Sequence, residues 1–309
     1  MFFSKSDKYL FYLTLPLMGG VLGLLVVLFS MILTQSWPSL QRFGLSLFTD
    51  SVWRPSDDPQ RELYGLFTPI MGSLYVSILS TLISVPISIC LLFTIIEILP
   101  RYLGTPLRFI VEIMGGLPTV IYGLWGSTTL APILRDHVMK PLYSYLGFIP
   151  LFSCKPLTGH SILTASITLA IATTPYMTAL LIEGYYLIPS KYKEGAYSLG
   201  ATDYEAFKLM IGILKPYVVA ASLLGFSRIL GETTIVALTV GNSMRLSLCL
   251  FNPTYTIPSL IVSQFESARL YEYALSALYA GALILLITGL IAAYIGIRLV
   301  YWWRERIYV

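Results

Sequence analysis

One stretch of this chain sets a cation inside an otherwise apolar run: Gly225-Phe226-Ser227-Arg228-Ile229-Leu230-Gly231-Glu232-Thr233-Thr234. The spacing of four predicts that Arg228 and Glu232 share one helix face, about a turn apart. A guanidinium near the centre of a hydrocarbon layer costs between ~3 and ~15 kcal/mol, so the pair must face protein or water. The planar fork of guanidinium matches the acceptor oxygens of a tetrahedral oxyanion through paired hydrogen bonds. Arg228 is therefore a candidate transient anion site. Glu232 would orient it and keep the anion from binding too tightly to leave. Ser227, Thr233 and Thr234 are neighbouring hydroxyls able to donate. A structural ion pair that locks two helices together is the competing reading.

Such a site needs long apolar elements around it, and the composition supplies them. Of 309 residues, 56% are hydrophobic and only 12% charged, about half the charge that covers a soluble domain. The mean hydropathy is +0.75. Apolar runs near residues 10–33, 72–96, 109–134, 161–187, 211–240 and 274–302 can each cross ~30 Å of hydrocarbon. The chain thus reads as an all-α polytopic membrane protein with about six spans. Residues 1–69 form a first helix and outer segment, and residues 70–309 form the transmembrane core. Gly115-Gly116-Leu117-Pro118 interrupts the third span and Pro175 the fourth. Such breaks are tolerated where neighbours or water satisfy the freed backbone. The first run, behind Lys5 and Lys8, has no small-residue cleavage site after it and reads as a retained helix.

Of the twenty Lys and Arg, eleven fall on one side of these spans, eight on the other, and Arg228 within a span. The richer side holds both termini and is taken as cytoplasmic. Trp37, Trp53, Trp302 and Trp303 sit at span edges, as interfacial aromatics do. The outer loops 34–69, 135–160 and 241–273 are long enough to hold short helices and to receive an external partner, or to serve only as linkers. Cys90, Cys154 and Cys249 have no metal-ligand spacing, and no metal site is expected; a Cys154–Cys249 disulfide on the outer side is one option. His137 and His160 read as loop residues, and Glu112 as a packing carboxylate. No basic run suggests nucleic acid.

Between spans four and five lies a polar loop near 190–208. Ser190 is placed to cap a short helix that Gly200 ends in a left-handed conformation. Thr202 and Glu205 form a capping box that starts the next helix. Glu194-Gly195-Ala196-x-x-x-Gly200-Ala201-Thr202 resembles the E-A-A-x-x-x-G loop of ABC importer permeases, with Gly195 in place of an alanine and Pro216 further from Gly200 than is usual. Arg228-x-x-Gly231-Glu232-Thr233 with Val240-Gly241-Asn242 resembles a segment of phosphate-specific permeases. The run Glu112-Ile113-Met114-Gly115-Gly116-Leu117-Pro118-Thr119-Val120-Ile121-Tyr122-Gly123-Leu124-Trp125-Gly126 is similar to another. With Tyr64-Gly65 and Gln264-Phe265-Glu266-Ser267-Ala268, the likeness runs from about Trp37 to the C-terminus. Its Y-G-x-W-G form favours the PstC-type branch over the PstA-type sister.

The resemblance implies a type I ABC importer (MetI-like) permease fold in a bacterial inner membrane. It implies a second permease chain, an ATPase dimer and a periplasmic phosphate-binding protein as partners, with inorganic phosphate as the cargo. It also implies that Glu194, Gly195, Ala196, Gly200, Thr202 and Glu205 belong to the loop that fits the ATPase. No cofactor is expected on this chain, since it contains no G-x-x-x-x-G-K-[ST] and no Gly-Lys pair. ATP and Mg belong to the partner. A permease for sulfate or molybdate and a secondary transporter are the other classes. The second would show two halves with matching broken helices, and no such internal repeat is visible. An intramembrane enzyme lacks its motifs here, H-E-x-x-H or G-x-S-x-G.

Overall fold

The computed structural model describes residues 5–307, and side chains from residue 14 to 305 apart from Arg101. The basic flank at Lys5 and Lys8 lies outside the described side chains. Helix α1, Lys5–Phe43, runs past both Pro16 and Pro38. It packs on the last helix, and its apolar stretch from Thr14 has no buried residue across its most hydrophobic window. A short turn of helix α2, Ser46–Thr49, leads into a two-stranded hairpin in which β1, Trp53–Arg54, pairs antiparallel with β2, Leu63–Tyr64. Between β2 and the final helix, Glu62 is buried and accepts the backbone N–H groups of Glu272 and Tyr273 at 3.2 and 3.1 Å. That carboxylate holds the first outer loop to the start of the last span.

Helix α3, Phe67–Phe93, buries a stripe that includes Ser73, Ser77, Ser80, Ser84 and Ser88. Small residues let helix backbones approach closely in a bilayer, where burial of apolar surface gives no drive. The approach is seen in Ser88 Oγ donating to the Thr174 carbonyl at 3.3 Å on α8. A π-helical turn, Thr94–Ile98, closes α3. Helix α4, Arg101–Gly115, follows after Pro100. Past Gly116-Leu117-Pro118 the chain turns by 90° into a second helical run from Thr119 to Leu146. That run comprises α5 (Thr119–Trp125), α6 (Ala131–Leu134) and α7 (Lys140–Leu146), joined by π-helical turns.

The third span is therefore not a single helix over 109–134. It begins earlier, breaks at the Gly-Gly-Leu-Pro sequence and continues past Leu134, because α4 carries a polar face on which Arg108 and Glu112 pair at 2.8 Å. Glu112 is half exposed in that pair and hydrogen-bonded to Arg108 on its own helix. Helix α8, Ile162–Tyr186, passes through Pro175 without a break and is the most enclosed of the long helices. The short α9, Lys191–Ser198, precedes α10, Asp203–Leu230, then α11, Thr234–Thr239, α12, Ile257–Ala268, and α13, Ala274–Ile307. Among the described residues, five helices have the length and apolarity to cross a membrane, and the bent pair makes up to six.

The outer loops carry structure of their own. Leu250 and Phe251 are buried beside Ile162 and Val240, threading loop 241–256 into the helix ends. Cys154 and Cys249 form a disulfide, which ties that loop to the segment before α8; Cys90 is free and exposed. His160 lies in a loop as expected, its Nε2 2.9 Å from Ser127 Oγ, whereas His137 lies in the π-helical turn Arg135–Met139 rather than in a loop.

Candidate functional site

Two broken helices meet α8 at the same height. Gly115, where α4 ends, lies so near Pro175 that a Cβ added there would sit 3.4 Å from the proline Cβ. One residue on, the Tyr176 ring lies under the Arg228 guanidinium, 4.8 Å from carbon to centroid. Both contacts fall near the middle of the 25-residue α8, which sets Arg228 at the depth where a charge is most costly. The halves beyond the breaks also pack together. Gly123 of α5 faces the Thr234 carbonyl and Ile235 Cα of α11, at 3.3 and 3.4 Å from an added Cβ, so a side chain at 123 would push α5 and α11 apart.

Arg228 and Glu232 do not share a helix face. Helix α10 ends at Leu230, with Gly231 as its C-cap, and Glu232 stands in the break. Its Oε1 accepts the backbone N–H groups of Thr234 and Ile235 at 3.2 and 3.5 Å, the first free donors of α11. Free N–H groups at a helix start attract an anion, and here the chain's own carboxylate takes that place. Among the described residues, Arg228 and Glu232 make no ion pair. Neither a locking ion pair nor direct contact of Glu232 with the Arg228 guanidinium is present among the described residues. What Glu232 does is hold the break in shape, beside a small cavity of about 10 Å³ lined by Ser73, Ser77 and Thr256.

The hydroxyls separate as well. Ser227 Oγ donates to the Gly289 carbonyl of α13 at 2.9 Å, away from Arg228. Thr233 Oγ1 donates to the Gly231 carbonyl at 3.2 Å. Thr234 sits at the N-terminus of α11, against α5. Arg228 alone of the five is exposed. Tyr176 beneath it is half-buried, while Leu117 and Pro118 at the break after α4 are exposed. Tyr176 was not singled out in the sequence; an aromatic directly after a mid-span proline is the signal that marks it.

The loop after α8 takes the expected form with one exception. Gly200 has φ +82°. Gly200 N–H and Ala201 N–H donate to the carbonyls of Tyr197 and Ala196 at 2.9 and 3.1 Å, a Schellman closure. Thr202 Oγ1 accepts from Glu205 N–H at 3.4 Å while Glu205 Oε2 accepts from Thr202 N–H at 2.9 Å, completing the capping box. Ser190, by contrast, makes no side-chain cap, because its own backbone is already helical (φ −58°, ψ −26°). Glu194 and Gly195 are exposed, Ala196 is buried, and Gly195 has open space around it. A helix–glycine–helix hairpin thus projects from the end opposite the disulfide-tied loops.

The description "Binding-protein-dependent transport system inner membrane component" matches residues 91–301. The chain is 44% identical over 295 residues to a probable phosphate transport system permease protein PstC of Methanocaldococcus jannaschii, covering 96% of this chain and 94% of that one. It is 35% identical over 274 residues to the phosphate transport system permease protein PstC of Xylella fastidiosa, at 86% and 83% coverage. With the PstC of Haemophilus influenzae the identity is 33% over 304 residues, at 93% and 94% coverage. A multi-pass helical chain with a broken-helix centre, an exposed mid-depth arginine and a projecting hairpin therefore belongs to the binding-protein-dependent transport permeases, in their PstC-type branch.

Proposed function

We propose that this chain is one membrane-spanning half of an ATP-driven phosphate importer, and that Arg228 is the anion contact in its pathway. The observation that carries the reading is an exposed guanidinium at mid-depth, held over Tyr176 beside two helix breaks. A permanently charged side chain on an uncovered face at this depth is tolerable only if that face meets water or another protein. A second permease chain supplies the facing wall, and the route between the two chains is wet. Guanidinium then pairs with phosphate oxygens, and exposure keeps the contact weak enough for release.

The rest of the proposal extends the same reading to the other parts of the molecule. The protein is multi-pass, with both termini in the cytoplasm. The disulfide-tied loops face outward, where a cysteine pair persists, and receive a phosphate-loaded binding protein. The hairpin from Glu194 to Phe207 fits the partner ATPase. ATP and its Mg bind there, and this chain performs no chemistry itself. ATP binding and hydrolysis alternate the opening of the pathway at Arg228 between the two sides, and the energy comes from contacts that differ between the two states.

The test is uptake of labelled phosphate into vesicles holding the reconstituted complex. Arg228→Gln keeps the polar shape without the charge, and we expect it to lower uptake by about a hundredfold while the ATPase still co-purifies. Uptake at near wild-type rates in that variant removes Arg228 from the pathway.

A further inference from the structure

We propose that Glu97 is a positioning residue for transport, the charged link that carries movement of the hairpin helix α9 to the broken helix at the pathway. The inference rests on the reading of α9 as the ATPase-docking helix and assigns a role to three residues outside the site above.

Glu97 lies in the π-helical turn Thr94–Ile98 that ends α3. Its side chain is only 4% exposed, yet it accepts three hydrogen bonds from two donor groups. Lys193 Nζ of α9 reaches both carboxylate oxygens at 2.8 and 2.7 Å, and Tyr185 Oη of α8 donates at 2.5 Å. Three elements therefore converge on one carboxylate. Helix α9 also packs on α10, and Ala196 is its one buried residue. The Tyr197–Asp203 hydrogen bond stays within the hairpin. Beside the path through α10, a pull on α9 reaches the end of α3 directly through Lys193 and Glu97.

The route onward is short and stiff. The π-helical turn leads through Leu99 and Pro100 directly into α4. Gly104 of α4 lies against the Ile95 carbonyl, where an added Cβ would be 2.8 Å away, so the two segments cannot slide without moving together. At its other end α4 stops against Pro175, and Tyr122 Oη of α5 donates to the Met114 carbonyl at 2.8 Å. The π-helical turn itself is a form that recurs at functional sites. A buried ion pair is a weak device for stability alone but a strong one for fixing register. Burial works to lower the Lys193 ammonium, but the hydrogen bond and charge of Glu97 outweigh it and hold the group above the ordinary lysine range. Its charge is therefore kept at neutral pH and lost only as pH rises through that raised value.

The experiment reads motion at the break and needs no transported phosphate. A reporter cysteine, Leu117→Cys, is placed in the full complex with Cys90→Ser, leaving Cys154 and Cys249 paired. Its reaction rate with a charged thiol reagent is measured with and without ATP. In the otherwise unaltered complex ATP changes that rate by about tenfold. We expect Glu97→Gln to keep the ATPase bound and hydrolysing while the ATP-dependent ratio falls to near one. Lys193→Gln should do the same, and Lys193→Arg should retain the ratio. A wild-type ratio in Glu97→Gln or Lys193→Gln overturns the proposal. So does loss of the ATPase from both variants in step with the ratio, which makes the pair a folding contact. If Glu97→Gln alone fails to assemble, the Lys193→Gln ratio decides by itself. The underlying reading fails separately, if Gly200→Val leaves ATPase binding intact or if the unaltered complex takes up no phosphate.

Discussion

A single guanidinium decides how the centre of this protein must be arranged. Among the described residues Arg228 has no carboxylate partner; its contact is the face of Tyr176. An arginine over an aromatic ring gains about 0.5–2 kcal/mol, more where water is scarce. That contact restrains the side chain and leaves its five N–H donors free for an anion, which an ion pair would not. The ring is therefore expected to matter more than its hydroxyl. Tyr176→Phe should keep phosphate uptake within about twofold, whereas Tyr176→Ala, which removes the platform, should lower it by about tenfold. Initial uptake rates in vesicles measure both, and equal loss in the two variants would put the hydroxyl, not the ring, in the contact. Glu232 illustrates the limit of spacing rules. Four residues from Arg228, it reads as an i,i+4 partner, yet one glycine between them ends the helix and turns the carboxylate to the N–H groups of α11.

At the scale of elements, caps and breaks account for what was readable. The Thr202–Glu205 capping box and the left-handed Gly200 are local hydrogen-bond chemistry, encoded within a few residues, and both take the form the sequence predicts. Val at position 200 cannot adopt φ +82° without strain, while Asn tolerates it. Gly200→Val should therefore release the ATPase from detergent-solubilised complex, and Gly200→Asn should retain most of it. Equal co-purification of the two variants would argue that the hairpin is not the docking element. The Gly115-Gly116-Leu117-Pro118 break was legible too, because proline and paired glycines end helices. Its 90° turn was not, since the bend is set against Pro175 of α8, far along the chain. Nor was the Glu97–Lys193–Tyr185 cluster, whose members lie about ninety residues apart in the chain. A lone carboxylate in the apolar run 91–99 was the available hint.

For the molecule as a whole, hydropathy revealed the membrane class and approximate spans, while tertiary contacts set the ends. Helix α10 starts at Asp203, well before the apolar run at Ile211, because the capping box lies there and not at the membrane surface. Helix α1 packs on α13 at the edge of the bundle. Arg228 and the break at Leu117 are left exposed by this chain, with Tyr176 half-buried under the guanidinium, which is why a second permease chain is part of the proposal. The claim on which everything rests is that this exposed face borders water. The direct measurement is modification of Arg228→Cys, with Cys90→Ser, by a membrane-impermeant thiol reagent in the assembled complex, with and without phosphate. The account predicts rapid modification in at least one nucleotide state, whether or not phosphate is added, since the variant lacks the guanidinium that would hold the anion. A cysteine that stays unmodified from either side of the membrane in every nucleotide state would contradict it.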